Sequence, residues 1–163
     1  MTQLARFQNR LNEMIPLTRA LSVRLEAYDG QSLLVSAPLE PNHNHQNTVF
    51  GGSSYGVAVV AAWGLVELLL QDAGLMGVVV IQSGEIEYPN AIERDFFAVC
   101  AIPDPEAVMR FHRSLARHGR ARLSLETRVY PGTPTLTPNA EPGAVFKGRF
   151  VARDVRTDPA SLL

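Results

Sequence analysis

The chain has 163 residues, 46% of them hydrophobic, with 15 basic and 16 acidic side chains and a formal net charge of −1. That is enough for one globular domain whose core stands without disulfides or metals. A balance so close to neutral gives no support to nucleic acid or a membrane surface as partner, so an electrostatic partner has to be met by a local patch.

The first residues, Met1 to Arg10, contain no apolar signal-peptide core and no small-residue cleavage site, and the only cysteine is Cys100. A reduced, cytoplasmic setting is the expectation. Leu4, Phe7, Leu11 and Met14 are spaced by three, four and three, which predicts an amphipathic helix within residues 1–15 that ends near Pro16. Two alternating segments follow. Leu21, Val23, Leu25 and Ala27 share one side of the first, Leu33, Val35 and Ala37 one side of the second, and Asp29-Gly30 between them predicts a hairpin turn.

Residues 42 to 53 read Asn-His-Asn-His-Gln-Asn-Thr-Val-Phe-Gly-Gly-Ser and run directly into an apolar stretch, Tyr55 to Leu70. A polar loop, two glycines and then a helix is a way to aim backbone N–H groups at a carbonyl or phosphate oxygen. The helix is expected over 51–73, closed by Gly74, and because it is apolar on every side it has to be enclosed. Its apolar run is shorter than the roughly 20 residues a bilayer requires and contains Glu67, so no membrane span is expected.

The β-branched run Val78 to Ile81 begins a third strand reaching Tyr88, and a fourth covers about 95–102, where Cys100 suits an inert interior position. Asp104, Pro105 and Gly119 bracket a helix over 105–118. Val108, Phe111 and Leu115 form its apolar stripe; Arg110, Arg113 and Arg117 share the spacing about 200° round the helix, facing away from the core. A fifth strand alternates strictly, with Ala121, Leu123, Leu125, Thr127 and Val129 on one side and Arg120 and Arg122 among the polar residues of the other. The stretch 131–143 holds four prolines and reads as a mobile connection, residues 144–153 as a last strand, and 154–163 as a flexible tail. The whole is an α+β domain over 1–153, an antiparallel sheet wrapped round one long helix, which is the hotdog architecture.

Four stretches then carry a family resemblance: Asn42-His43-Asn44, Thr48 to Ser53, Ala61-Ala62-Trp63-Gly64 and Ile86-Glu87-Tyr88-Pro89. Together they resemble the thioesterase-like hotdog family named after the C-terminal domain of the bacterial protein YiiD, over about 15–150 and most strongly over 42–64. The resemblance implies a homodimer, which could pair further, with sites at subunit interfaces. It also implies acyl groups carried on coenzyme A or on the phosphopantetheine of acyl carrier protein (ACP), with no other cofactor. Some members are associated with decarboxylation of malonyl-ACP to acetyl-ACP, which starts fatty acid synthesis.

Many hotdog thioesterases use an Asp or Glu near the start of the central helix, and here no carboxylate occurs from Pro41 through Val66. Glu67 is about 24 Å along the helix; Glu85 and Glu87 serve only if the fold brings one round. Decarboxylation asks less: the electrons left by CO2 collect on the thioester oxygen, and donors must hold it. The Gly51 and Gly52 amides are the candidate donors, with Asn44 orienting the thioester through its carboxamide and His43 a donor or base. Asn42, Thr48, Phe50, Ser53, Tyr55, Tyr88 and Asn90 are candidate pocket residues. Bland readings stand beside these: the asparagines close Asx turns, a serine caps the helix, and Tyr88 closes a sheet edge. His43 and His45 lack a third ligand nearby, so no metal is expected. Arg110, Arg113, Arg117, Arg120 and Arg122 suit an acidic carrier or the phosphates of coenzyme A. Hydrolysis of acyl-CoA or acyl-ACP, and a non-catalytic thioester-binding module, are the alternatives to decarboxylation.

Overall fold

The computed structural model describes residues 1–135 and 140–156. Helix α1 (Gln3–Met14) is capped by the Thr2 hydroxyl, which accepts from the Ala5 N–H, and buries Phe7 and Leu11. A single turn, α2 (Leu17–Ala20), leads to the hairpin of β1 (Arg24–Tyr28) and β2 (Ser32–Ala37). The Asp29 carboxylate accepts from the Gln31 and Ser32 amides at its turn. Strand β1 begins at Arg24, later than the alternation from Leu21 suggests, because Leu21 and Ser22 complete the turn after α2.

A kinked turn, α3 (Leu39–Asn42), precedes the loop and the central helix α4 (Gly51–Asp72). Then come β3 (Val78–Glu87), β4 (Phe96–Ala101), α5 (Pro105–His118), β5 (Arg120–Pro131) and β6 (Ala144–Arg153). The strands form one antiparallel sheet in the order β1-β2-β4-β5-β6-β3. Helix α4 lies against β2, β3, β4, β5 and β6. Its 22 residues match the span expected over 51–73 and are long and apolar enough to cross a bilayer, yet 78% of that apolar window is buried in the protein itself. The core gathers Val57, Ala61, Leu65 and Leu68 of α4 with Leu33, Val35, Phe96, Cys100, Phe146 and Phe150 of the sheet. Burial pushes the Cys100 thiol up to about 12, so it stays protonated and inert.

Helix α1 lies across α4, with Phe7 stacked on Trp63 at 5.8 Å and Arg10 reaching Glu67 at 3.4 Å. Gly64 is small for this reason: a Cβ there would fall 2.8 Å from Leu33 and 3.3 Å from Phe7. Strand β3 is an edge, which its β-branched run did not announce, and it leaves Val80 and Ile81 exposed. Two side chains of α4 close its first residues: the Trp63 indole donates to the Val79 carbonyl at 3.0 Å, and Glu67 accepts from the Val79 N–H. Helix α5 is bounded as expected, with Asp104 accepting from the Ala107 N–H and Gly119 left-handed at φ 66°.

The connection expected over 131–143 is corrected at its start, since Pro131 belongs to β5, and residues 136–139 of it lie outside the described residues. The tail is corrected likewise. Asp154 is buried, its N–H donating to the Gly119 carbonyl and its carboxylate held by Arg156, while 157–163 lie outside the described residues.

Candidate active site

The loop before α4 is held by its own backbone. The Phe50 N–H donates to the Asn42 carbonyl at 2.8 Å, Val49 to Ile92 at 2.7 Å, and Asn44 to Thr48 at 2.8 Å. Asn47 takes the left-handed φ of 58° that the tight return needs and asparagine tolerates. Helix α4 starts at Gly51 with Phe50 as N-cap and no side-chain cap. The serine cap expected from Ser53 or Ser54 is therefore absent, and both serines are buried in the first turn instead. The Gly51, Gly52 and Ser53 amides, having no acceptor a turn behind them, take none from any described residue. Unbonded donors at the positive end of a 22-residue helix suit an oxyanion.

The two glycines answer to aromatic rings. A Cβ on Gly51 would fall 3.2 Å from the Tyr88 ring, and one on Gly52 would fall 2.4 Å from the Phe50 ring. The Tyr88 hydroxyl donates to the Gly51 carbonyl at 2.9 Å, and burial together with Tyr55 nearby raises its phenol above the ordinary value. Beside these groups lies a cavity of about 270 Å3, lined by Thr48, Gly51, Ser54, Tyr88, Asn90 and Ile92 among others, with no acidic side chain. The Asn90 carboxamide donates to the Pro142 carbonyl at 3.0 Å.

Asn44 is engaged in its own loop. Its Oδ1 accepts from the Gln46 and Thr48 amides at 2.8 and 3.2 Å, and its Nδ2 donates to the Thr48 hydroxyl at 2.8 Å. One carboxamide hydrogen remains uncommitted, and so does the hydrogen of the Thr48 hydroxyl, which lines the cavity. Asn42 is buried, donating to the Leu21 and Pro38 carbonyls at 2.8 Å each, so it ties the loop to the α2 turn and not to the cavity. The structure thus gathers Thr48, Gly51, Tyr88 and Asn90 at the cavity wall and leaves His43, Asn44, Phe50, Gly52, Ser53 and Tyr55 off it.

His43 has a carboxylate that reading the loop from Pro41 onward overlooked. Its Nε2 lies 3.1 Å from Glu40, and its Nδ1 lies 3.2 Å from the Asn44 carbonyl. Both contacts are satisfied together only when each ring nitrogen carries a hydrogen. The spacing of three residues between Glu40 and His43 was the available signal. Ile92 and Gly143, also on the cavity wall, had none, since they meet only in the fold, where a Cβ on Gly143 would overlap Ile92.

Glu85 and Glu87 are exposed on the outward side of β3 and do not come round to the cavity. Arg110, Arg113 and Arg117 are exposed on α5, with Arg120 and Arg122 on the outward face of β5. They sit at the far end of the molecule. Leu115 of α5 approaches Gly77, just past the last turn of α4, and Arg120 pairs with Arg153 across from Val78, so this surface lies toward the end of α4 remote from Gly51. Among the described residues no three His, Cys, Asp or Glu side chains converge.

A single antiparallel sheet curved round one long helix, with an uncapped helix start opening on a small cavity, defines the hotdog class of proteins. Within it, the chain belongs to the family described as "Putative thioesterase (yiiD_Cterm)", whose model matches residues 4–154. A protein of unknown function from Chlorobaculum tepidum is similar at 32% identity, with a TM-score of 0.86 over 92% of this chain and 93% of its own. A "putative thioesterase" from Shewanella oneidensis is similar at 25% identity and a TM-score of 0.76, covering 92% of this chain and 96% of its own. A "probable thioesterase" from Pseudomonas aeruginosa shares the fold at 17% identity and a TM-score of 0.75, over 94% of this chain and 98% of its own.

Proposed function

We propose that the protein is an enzyme that decarboxylates malonyl-ACP to acetyl-ACP, supplying the starter for fatty acid synthesis in the cytoplasm. One observation carries the preference: the cavity at the start of α4 has Gly51, whose amide is unbonded, on its wall and no acidic side chain there. Breaking the bond to the carboxylate releases CO2 and leaves the electron pair on the thioester as an enolate, which a proton then quenches at carbon. Donors that hold the enolate oxygen suffice for the first step, each contributing roughly 2.7–4 kcal/mol by comparison with known oxyanion holes. The Gly51 and Gly52 amides serve as donors. Asn44, set behind the cavity wall, fixes Thr48, whose hydroxyl is the further donor facing the cavity, and orients the thioester through it.

The Glu40–His43 pair favours a second reading, hydrolysis of acyl-ACP or acyl-CoA with His43 steering water. Mass spectrometry after incubation with malonyl-ACP, malonyl-CoA and longer acyl thioesters separates the readings. Acetyl thioester is the expected product, free thiol would replace decarboxylation by hydrolysis, and binding without turnover would reduce the protein to a thioester-binding module.

The working unit of this proposal is a homodimer joined through β3, an edge strand with exposed apolar residues that a second copy would cover. Pairing two β3 strands antiparallel reverses the second copy, which turns its Gly51 end toward the first copy's arginines. The carrier then docks on one copy and delivers its acyl group to the other.

A further inference from the structure

An enolate left by the departure of CO2 must take one proton at carbon, either from the cavity wall or from water. Among the described residues, Thr48, Ser54, Tyr88 and Asn90 are the polar side chains that line the cavity beside Gly51, with no histidine, lysine or carboxylate among them. Aliphatic hydroxyls and carboxamides hold their hydrogens far more tightly than a phenol does, and Asn90 already donates to the Pro142 carbonyl. Tyr88 therefore carries the most acidic hydrogen on the wall.

Its position suits the task. The Tyr88 hydroxyl lies 2.9 Å from the Gly51 carbonyl oxygen and 3.3 Å from the point where a Cβ on Gly51 would stand, so it covers the side of Gly51 that a side chain would otherwise fill. The Gly51 amide, the donor assigned above to the enolate oxygen, belongs to the same residue. The oxygen and the carbon of an enolate are only two bonds apart, so an oxygen held at that amide keeps the carbon within reach of the phenol. The hydrogen now given to the Gly51 carbonyl is free to leave, because that oxygen also accepts from the N–H four residues on in α4. Burial, and then the neighbouring Tyr55, hold the phenol above its ordinary value, so it is protonated at neutral pH. Tyr88 is still 51% exposed, which lets solvent return a proton to it.

We propose that Tyr88 is the catalytic acid of this site, the group that delivers the proton to the enolate carbon. This rests on the decarboxylation reading above and adds to it the residue that completes the reaction. As CO2 departs, the carbon–carbon bond breaks and its electron pair passes into the thioester as an enolate. The thioester carbonyl then re-forms while the enolate carbon takes the phenol hydrogen, giving a methyl group and a Tyr88 phenolate, which recovers a proton from water. No oxidant or reductant enters the balance.

The test follows malonyl-ACP by mass spectrometry in buffer containing isotopically labelled bicarbonate, with the intact wild type and with Tyr88→Phe. The variant keeps the ring against Gly51 and loses only the hydroxyl of a half-exposed side chain; circular dichroism establishes that it is folded. Without its donor the enolate waits, and a waiting enolate recaptures CO2. Tyr88→Phe should form acetyl-ACP about 100-fold more slowly, with label entering the unreacted malonyl-ACP, while wild-type substrate stays unlabelled. A phenol that only braced Gly51 would, on removal, slow the bond breaking itself and let no label in. Absence of label from the variant's substrate at any rate of turnover, or equal labelling with the wild type, overturns the proposal. Failure of the wild type to form acetyl-ACP overturns the decarboxylation reading and this inference together, an outcome distinct from wild-type product with an unlabelled variant.

Discussion

The Asn44 side chain makes three hydrogen bonds inside its own loop, so its truncation loosens Thr48, the donor on the cavity wall. Asn44→Ala should lower kcat on malonyl-ACP by about 100-fold or more, the order seen when an oxyanion donor is lost. Unchanged turnover in a kinetic assay would leave the asparagine a loop-closing residue. Glu67 allows a second residue-scale prediction. Burial raises its carboxyl above the ordinary value of 4.5, with Arg10 and the Val79 N–H opposing. A raised carboxyl holds its proton longer in the folded state, so its contribution to stability declines as pH rises from about 4.5 through the raised value. Glu67→Gln should remove that decline, seen as a flatter dependence of urea midpoint on pH than in the wild type. At this scale the sequence told part of the story. It named Thr48, Gly51, Tyr88 and Asn90, but missed Glu40 beside His43, and it could not show that rings of Tyr88 and Phe50 take the space at the two glycines.

Helix α5 was legible because its signals are local: Asp104 caps, Pro105 begins the helix and Gly119 ends it in a left-handed turn. Asp104→Ala should cost about 1 kcal/mol of stability, measured by chemical denaturation, with the fold unchanged. The turns α2 and α3, four residues each, carry too little periodicity to read, and their geometry depends on Asn42 bonding to carbonyls 21 and 4 residues away. Strand β3 shows the same limit from the other side. Its composition marks a strand, yet nothing in Val78 to Ile81 says that the sixth strand pairs on one side and nothing on the other. Edge or centre is decided by topology, which is settled by contacts far apart in sequence.

Across the whole molecule, the cavity and the arginine surface stand at opposite ends of α4, which makes the proposed division of labour between two copies testable. Homodimers bearing Asn44→Ala lose chemistry at every site, and homodimers bearing Arg113→Glu with Arg117→Glu lose docking at every site. In a mixed dimer of the two variants, one site retains its own Asn44 and faces the unaltered arginines of the other chain. Mixing should therefore restore turnover of malonyl-ACP toward half the wild-type value per mixed dimer. No recovery in dimers shown by mass to be mixed would place docking and chemistry on the same chain.

Trp63 is the only tryptophan in the sequence. It touches three elements at once, stacked on Phe7 of α1, rooted in α4 and bonded to Val79 of β3. Its fluorescence is thus a single-site optical report on the seam where the amino-terminal helix, the central helix and the free strand edge meet. A shift of its emission to longer wavelength would register α1 lifting away or β3 slipping before the rest of the sheet gives any signal.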